Sequence, residues 1–256
     1  MKICLVQSDL VWADAALNRS RIEKQLSSVD RADIIILPEM FTTGFCTQDL
    51  ELLDEDSTET LSWMKKLSEE KDAAVAGSIA VKDAGKYYNR FFFVEPDGTV
   101  GKYDKHHLFT YGGEDRYFEP GQERVTVCFR GWKILLQVCY DLRFPVSARN
   151  TDRYDMILYI ASWPEKRRFA WDTLLRARAI ENLSFVAGVN RIGTDPNCRY
   201  SGGTALLGFL GETLVSVPDN TEGVVCADIS KDELMTYREH FPALDDMDRF
   251  EIKSSK

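Results

Sequence analysis

Through the first two-thirds of the chain, short apolar runs alternate with amphipathic stretches, the pattern of strands interleaved with helices. Residues 2–7 read as a strand, 18–28 as a helix, and the Ile-Ile-Ile-Leu run at 34–37 as a buried strand. Pro38 stops that strand because it cannot donate to a ladder, which leaves Glu39 at the strand's C-terminal end. Residues 57–71 carry acidic side chains early and basic ones late, as a helix dipole prefers, and 73–81 return to strand character. Residues 87–94 and 99–103 flank the turn Pro96-Asp97-Gly98 and predict a hairpin; 124–129 and 133–138, parted by Gly131, predict a second. Cys139 follows directly on that last strand. Further on, 157–161 read as strand, 167–183 as a long helix with Trp171, Leu174, Leu175 and Ala179 on one face, and 184–190 as strand. Glycines 202, 203, 208, 211 and 223 punctuate β-rich runs in the last quarter, which predicts a strand meander closed by a helix over 230–240. No repeat or linker interrupts this series. The expectation is an α/β (α+β) chain forming one domain over residues 1–256, with strands enough for two sheets.

Composition narrows the function classes. At 44% apolar and 11% aromatic residues the chain can bury a full core. Its net charge of −9 repels phosphate backbones and anionic lipid, so nucleic acid is not an expected partner. No stretch approaches the roughly 20 apolar residues of a membrane span, and the apolar run at 2–7 is too short for a signal-peptide core. A cytoplasmic location without membrane attachment is expected. The six cysteines, at 4, 46, 128, 139, 198 and 226, contain no C-x-x-C pair, so no disulfide framework is expected in that compartment. With only His106, His107 and His240, no metal-ligand spacing can be drawn, and neither a metal nor another cofactor is expected.

Chemistry concentrates in the segment Leu135-Leu136-Gln137-Val138-Cys139-Tyr140-Asp141-Leu142-Arg143-Phe144-Pro145. A cysteine at the end of an apolar strand, before a tight polar turn and a helix start, is expected to hold its sulfur over a helix N-terminus, a setting that lowers a thiol pKa. A thiolate attacking an amide carbonyl also needs a base, an oxyanion donor and an acid for the departing amine. His106 and His107, beside Lys105, offer a papain-like Cys–His pairing, but neither has an Asn or Asp partner that spacing alone identifies. Glu39 is the competing base; taken alone, an acidic residue after a strand is ordinarily a solvated loop charge.

Three segments together resemble the nitrilase, or carbon–nitrogen hydrolase, superfamily. They are Leu37-Pro38-Glu39-Met40-Phe41-Thr42-Thr43-Gly44-Phe45, Lys102-Tyr103-Asp104-Lys105-His106-His107-Leu108-Phe109, and the run from Cys139 to Pro145. Similarity continues through Ala161-Ser162-Trp163-Pro164, residues 176–182 and residues 188–193, so it covers nearly the whole chain. The resemblance implies a four-layer α-β-β-α sandwich and a catalytic Glu39, Lys105 and Cys139. It further implies Glu114 as second glutamate, with Asp115 and Glu119 close enough to compete, and the backbone N–H of Tyr140 as a second oxyanion donor. Phe45 and Trp163 are expected to wall the pocket.

Within the superfamily, the Asp-Leu-Arg-Phe-Pro run after Cys139 and the ending Tyr237-Arg238-Glu239-His240-Phe241-Pro242-Ala243 look most like the omega-amidase branch. That branch hydrolyses the side-chain amide of 2-oxo acids such as 2-oxoglutaramate. The implied partners are a small amide, water and a second copy of the chain. A substrate carboxylate calls for a further cation, with Arg116, Arg143 and Arg199 available. Arg143 also reads as the ion-pair partner of a nearby acid. Two departures, Ser162 in place of the family's usual Asn and the pair Gly202-Gly203, are expected to bear on selectivity. The alternatives are an amidase for N-carbamoyl amines or deaminated peptides and, from another class, a catalytically silent binding scaffold.

Overall fold

Period-two alternation decides the layers. In the computed structural model, which describes residues 1–47 and 50–251, the first half of the chain supplies β1 (Lys2–Gln7), β2 (Ile34–Ile36), β3 (Ala74–Asp83), β4 (Lys86–Val94) and β5 (Val100–Asp104). The second half supplies β6 (Thr126–Phe129), β7 (Trp132–Val138), β8 (Met156–Ala161), β9 (Phe185–Asn190), β10 (Ile192–Thr194), β11 (Arg199–Ser201), β12 (Ala205–Leu207), β13 (Thr213–Ser216) and β14 (Gly223–Asp228). Between them lie helices α1 (Ala15–Leu26), α2 (Leu50–Lys71), α3 (Pro145–Ala148), α4 (Arg168–Asn182) and α5 (Lys231–His240). The strands assemble into two six-stranded sheets, ordered β14-β1-β2-β3-β4-β5 and β13-β12-β9-β8-β7-β6, with β10-β11 as a separate hairpin.

In the first sheet Cys4, Val6, Ile35, Leu37, Val75, Phe92 and Val94 pack with Ile22 and Leu26 of α1 and Met64 and Leu67 of α2. Their neighbours Ile3, Leu5, Ile34, Ile36, Phe91 and Phe93 belong to the other core cluster, toward the second sheet. In the second sheet Gly188 marks the helix side, because a Cβ there would collide with Leu175 and Trp171 of α4. Its register partners Tyr159 and Gln137 share that face. Leu136, Val138, Leu158 and Ile160 therefore turn toward the first sheet. Helices outside, two sheets inside: the layers are the α-β-β-α sandwich that the sequence leads one to expect. Among the described residues no helix is long and apolar enough to cross a membrane.

Both predicted hairpins form, β4 with β5 and β6 with β7. Three expectations are corrected. Helix α2 begins at Leu50 and not near residue 57, since no Gly or Pro between 50 and 56 interrupts it. The C-terminal strands do not form one meander: β12 and β13 extend the second sheet, while β14 crosses back to pair antiparallel with β1. Glycines mark where such strands turn but carry no information about the sheet they join. That crossing also makes Cys4 and Cys226 register partners with Cα atoms 4.1 Å apart, and they form a disulfide where none was expected.

Candidate active site

The predicted residues come from different elements but from one end of the sandwich. Glu39 lies just beyond β2, Lys105 just beyond β5, Cys139 at the end of β7 and Ser162-Trp163 just beyond β8. Glu39, Phe45, Lys105, Cys139, Tyr140, Arg143 and Trp163 all line one cavity of about 300 Å³, room for a small metabolite.

Cys139 has φ +45°, a left-handed conformation unusual for a residue with a Cβ, at the head of a 3-10 turn spanning Cys139–Arg143. Asp141 holds that turn in place. Its Oδ2 accepts the Val138 N–H at 2.9 Å and the Tyr103 hydroxyl at 2.8 Å, while Oδ1 accepts the His107 N–H at 2.9 Å. The thiol itself differs from expectation. Only the 3-10 turn and the four-residue α3 follow it, so no long helix terminus supports the sulfur. Burial, then the charge of Glu39, push the thiol pKa well up, and Lys105 only partly offsets them. The Glu39 side chain hydrogen-bonds to the thiol and adds to that upward push.

The histidine alternative is not formed. His107 does have an aspartate partner, Asp141 at 2.8 Å from Nδ1, but its ring stacks on Phe144 at 3.8 Å. His106 Nδ1 pairs with the Gly121 carbonyl at 2.6 Å. Neither histidine lines the cavity.

Glu39, instead of being a solvated loop charge, is fully buried together with Lys105 and Glu114. Lys105 Nζ donates to Glu39 Oε1 at 2.8 Å and to Glu114 at 2.9 Å (Oε2) and 3.1 Å (Oε1). Burial alone would lower the Lys105 pKa, but Glu114 and Glu39 outweigh it and hold the ammonium charged. Glu114 is raised by burial, pulled back by Lys105 and raised again by Glu39's charge. Its rivals lie elsewhere: Asp115 is exposed, and the exposed Glu119 pairs with Lys86 at 3.5 Å. The second oxygen of Glu39, Oε2, accepts the Ser162 N–H at 2.8 Å.

Around this charged floor the wall is aromatic. Phe45 lies 5.3 Å from Lys105 Nζ, and Tyr140 packs edge-on against Phe109 at 5.2 Å. Arg143 sits 4.9 Å over the Trp163 ring and, among the described residues, has no carboxylate partner, contrary to its ion-pair reading. Arg199 pairs with Glu165 at 3.4 Å and Arg116 is exposed; neither lines the cavity. Gly202 and Gly203 are also absent from its walls. Both have positive φ, and a Cβ would run into Gln7 or Arg168, so backbone geometry accounts for this pair.

The chain matches the carbon–nitrogen hydrolase family over residues 2–239. It is 46% identical over 252 residues to omega-amidase YafV of Yersinia enterocolitica, covering 98% of both chains. This chain belongs to the carbon–nitrogen hydrolase family. Against 2-oxoglutaramate amidase of Bacillus subtilis (strain 168) identity is 35% over 251 residues, with 96% of each chain covered. The crystal structure of XC1258 from Xanthomonas campestris, a CN-hydrolase superfamily protein with an arsenic adduct in its active site, superposes with a TM-score of 0.95 at 40% identity, covering 99% of each chain. The fold is thus the nitrilase-type sandwich and the protein an enzyme of carbon–nitrogen hydrolysis.

Several residues that line this hydrolase's cavity or hold its lining escape sequence reasoning. Asn89 donates to both Glu39 and Glu114 from β4. Its one available signal is parity: it shares the inward row of Phe91 and Phe93, where a polar residue is out of place. Arg167, read as a helix start, lines the cavity 5.3 Å from the Phe109 ring and 5.2 Å from that of Tyr111. Asn190, closing β9, holds the Trp163 backbone by accepting its N–H at 2.7 Å and donating to its carbonyl at 3.0 Å. Asp195 and Tyr200, from the β10-β11 hairpin, supply a further wall and are joined at 2.6 Å.

Proposed function

We propose that this hydrolase is an omega-amidase, releasing ammonia from the side-chain amide of a small 2-oxo acid such as 2-oxoglutaramate, with Cys139 as nucleophile. The observation that carries this reading is the joining, in one cavity, of a Glu–Lys–Cys cluster with two guanidiniums, Arg143 and Arg167, that have no carboxylate partner among the described residues. Unpaired cations beside an amide-cleaving cluster fit a substrate with an amide at one end and a carboxylate at the other. The names of the relatives described above support the same substrate class.

In this reading the Cys139 sulfur attacks the amide carbon while its proton passes to Glu39. Negative charge collects on the carbonyl oxygen and is met by Lys105 and the Tyr140 N–H. Glu39 returns the proton to the amide nitrogen, the C–N bond breaks and ammonia leaves a thioester on Cys139. Water then attacks that carbon, Glu39 takes its proton, and cleavage of the C–S bond restores the thiol and frees the dicarboxylate. Glu114 anchors the ammonium of Lys105 throughout. We further propose that the chain works as one domain and as a homodimer.

The test is ammonia release from 2-oxoglutaramate, 2-oxosuccinamate, glutamine, asparagine, an N-carbamoyl amino acid and a simple nitrile. Strong preference for the oxo-acid amides is expected. Release from the carbamoyl compound alone would assign another amidase activity, and no release from any would revive the silent scaffold.

A further inference from the structure

Asn89 has no part in the reaction described above, yet its side chain touches two of its charged groups. It is buried on β4, in the row of Phe91 and Phe93 that faces the second sheet. Its Nδ2 lies 2.8 Å from Glu39 Oε1 and 3.1 Å from Glu114 Oε1. An amide NH2 has two N–H bonds, and here each serves a different carboxylate. Its carbonyl Oδ1, buried as well, has no hydrogen-bond partner among the described residues. A purely structural amide would be oriented to satisfy both ends; this one leaves its acceptor orphaned so that both donors reach the glutamates. The reverse orientation would set three acceptors against one another.

The bonds to Glu39 are unequally divided. Oε1 takes Asn89 and the Lys105 ammonium, whereas Oε2 takes the Ser162 N–H. We infer that Asn89 is a positioning residue for proton transfer: it fixes the two glutamates relative to each other, donates to both, and saturates Oε1 of Glu39. The proton of Cys139 is thereby directed to Oε2. In that step the S–H bond breaks and an Oε2–H bond forms, and as sulfur bonds to the amide carbon the C=O π bond opens and the charge passes from the carboxylate through sulfur to the carbonyl oxygen. The charged or titratable groups facing Glu39 are Lys105 beyond β5, Glu114 in the loop after it and Cys139 at the end of β7. Asn89, uncharged, balances the excess of two carboxylates over one ammonium without neutralising either. This inference rests on Glu39 acting as the base.

The experiment compares Asn89→Leu, similar in size without donors, Asn89→Ser, which retains a single donor, and Glu39→Gln, using 2-oxoglutaramate. The pH dependence of kcat/KM, the separate kcat and KM, and Tm are recorded for each. Loss of donors to a carboxylate raises its pKa, so Asn89→Leu is expected to move the acid limb to higher pH. Its kcat at neutral pH should fall on the order of 10-fold or more, with KM little changed and activity partly regained at alkaline pH. Asn89→Ser is expected to shift the limb less and remains informative if the leucine variant does not fold. An unmoved limb and a kcat within about twofold of wild type in a folded variant would overturn the inference. A fully active Glu39→Gln would instead overturn the assignment of the base.

Discussion

The floor and the rim of the cavity handle charge in opposite ways. On the floor, Glu39, Glu114 and Lys105 are fully buried and hold one another at 2.8 to 3.1 Å, with Asn89 bridging the two acids. At the rim, Arg143 and Arg167 rest over aromatic rings and have no acid beside them among the described residues. Complete burial leaves no choice on the floor, because an unpaired charge there would be costly. Water can solvate the rim guanidiniums until a ligand displaces it. In the proposed reaction the difference divides labour: the floor, complete without substrate, does the chemistry, whereas the rim, incomplete, recognises.

Substitutions should separate the two regions. The largest effect is expected for Cys139→Ala, which should abolish ammonia release and leave the circular dichroism spectrum and Tm close to wild type; retained activity would move the nucleophile elsewhere. Lys105→Met comes next, with a loss on the order of 10²-fold or more in kcat from the missing oxyanion partner. It should also destabilise the fold by about 3–5 kcal/mol in denaturant titration, since two buried carboxylates lose their cation. A small effect on both counts would mean that the floor is not organised around that ammonium. For Arg143→Met and Arg167→Met the loss should fall on KM, roughly 10- to 100-fold for 2-oxoglutaramate with kcat nearly kept, as expected for one charge-assisted interaction. An equal loss with a neutral amide would remove the recognition role.

The smallest effect concerns acid. Glu114 takes up its proton at higher pH than an ordinary glutamate, because burial and then Glu39 outweigh the pull of Lys105. A carboxyl whose folded pKa is raised binds its proton more tightly in the folded state, so this protonation does not itself unfold the chain. Activity should therefore begin to fall at a pH above the ordinary glutamate range while the fold persists, with part of that fall lost in Glu114→Gln. Activity and ellipticity falling together would contradict this sign.

Much of the floor was legible in the sequence because local chemistry marks it. Pro38 ends a strand before Glu39, a polar turn follows Cys139, and Lys105 closes a hairpin strand. Selecting Glu114 over Asp115 and Glu119 took the resemblance, and its burial supports that selection. What could not be read depends on pairing between distant segments. Asn89 meets Glu39 fifty residues away in sequence, and β14 reaches β1 to bring Cys4 and Cys226 together across 222 positions. Arg167 sits in a run of charged residues that looks like an ordinary helix start, and only the closed cavity distinguishes it from Arg116 and Arg199. The lowered thiol pKa was expected from a turn beside a helix, without knowledge of how deeply Cys139 is buried or how near Glu39 lies.

The most direct measurement is the rate of iodoacetamide labelling at neutral pH, resolved by peptide mapping among Cys46, Cys128, Cys139 and Cys198. Cys128 is the exposed thiol and Cys139 a buried one, so accessibility alone favours Cys128. If Glu39 and Lys105 activate Cys139 toward an electrophile in the cavity, Cys139 is labelled first and loses that lead in Glu39→Gln. Labelling of Cys128 ahead of Cys139 in the wild-type enzyme would contradict it.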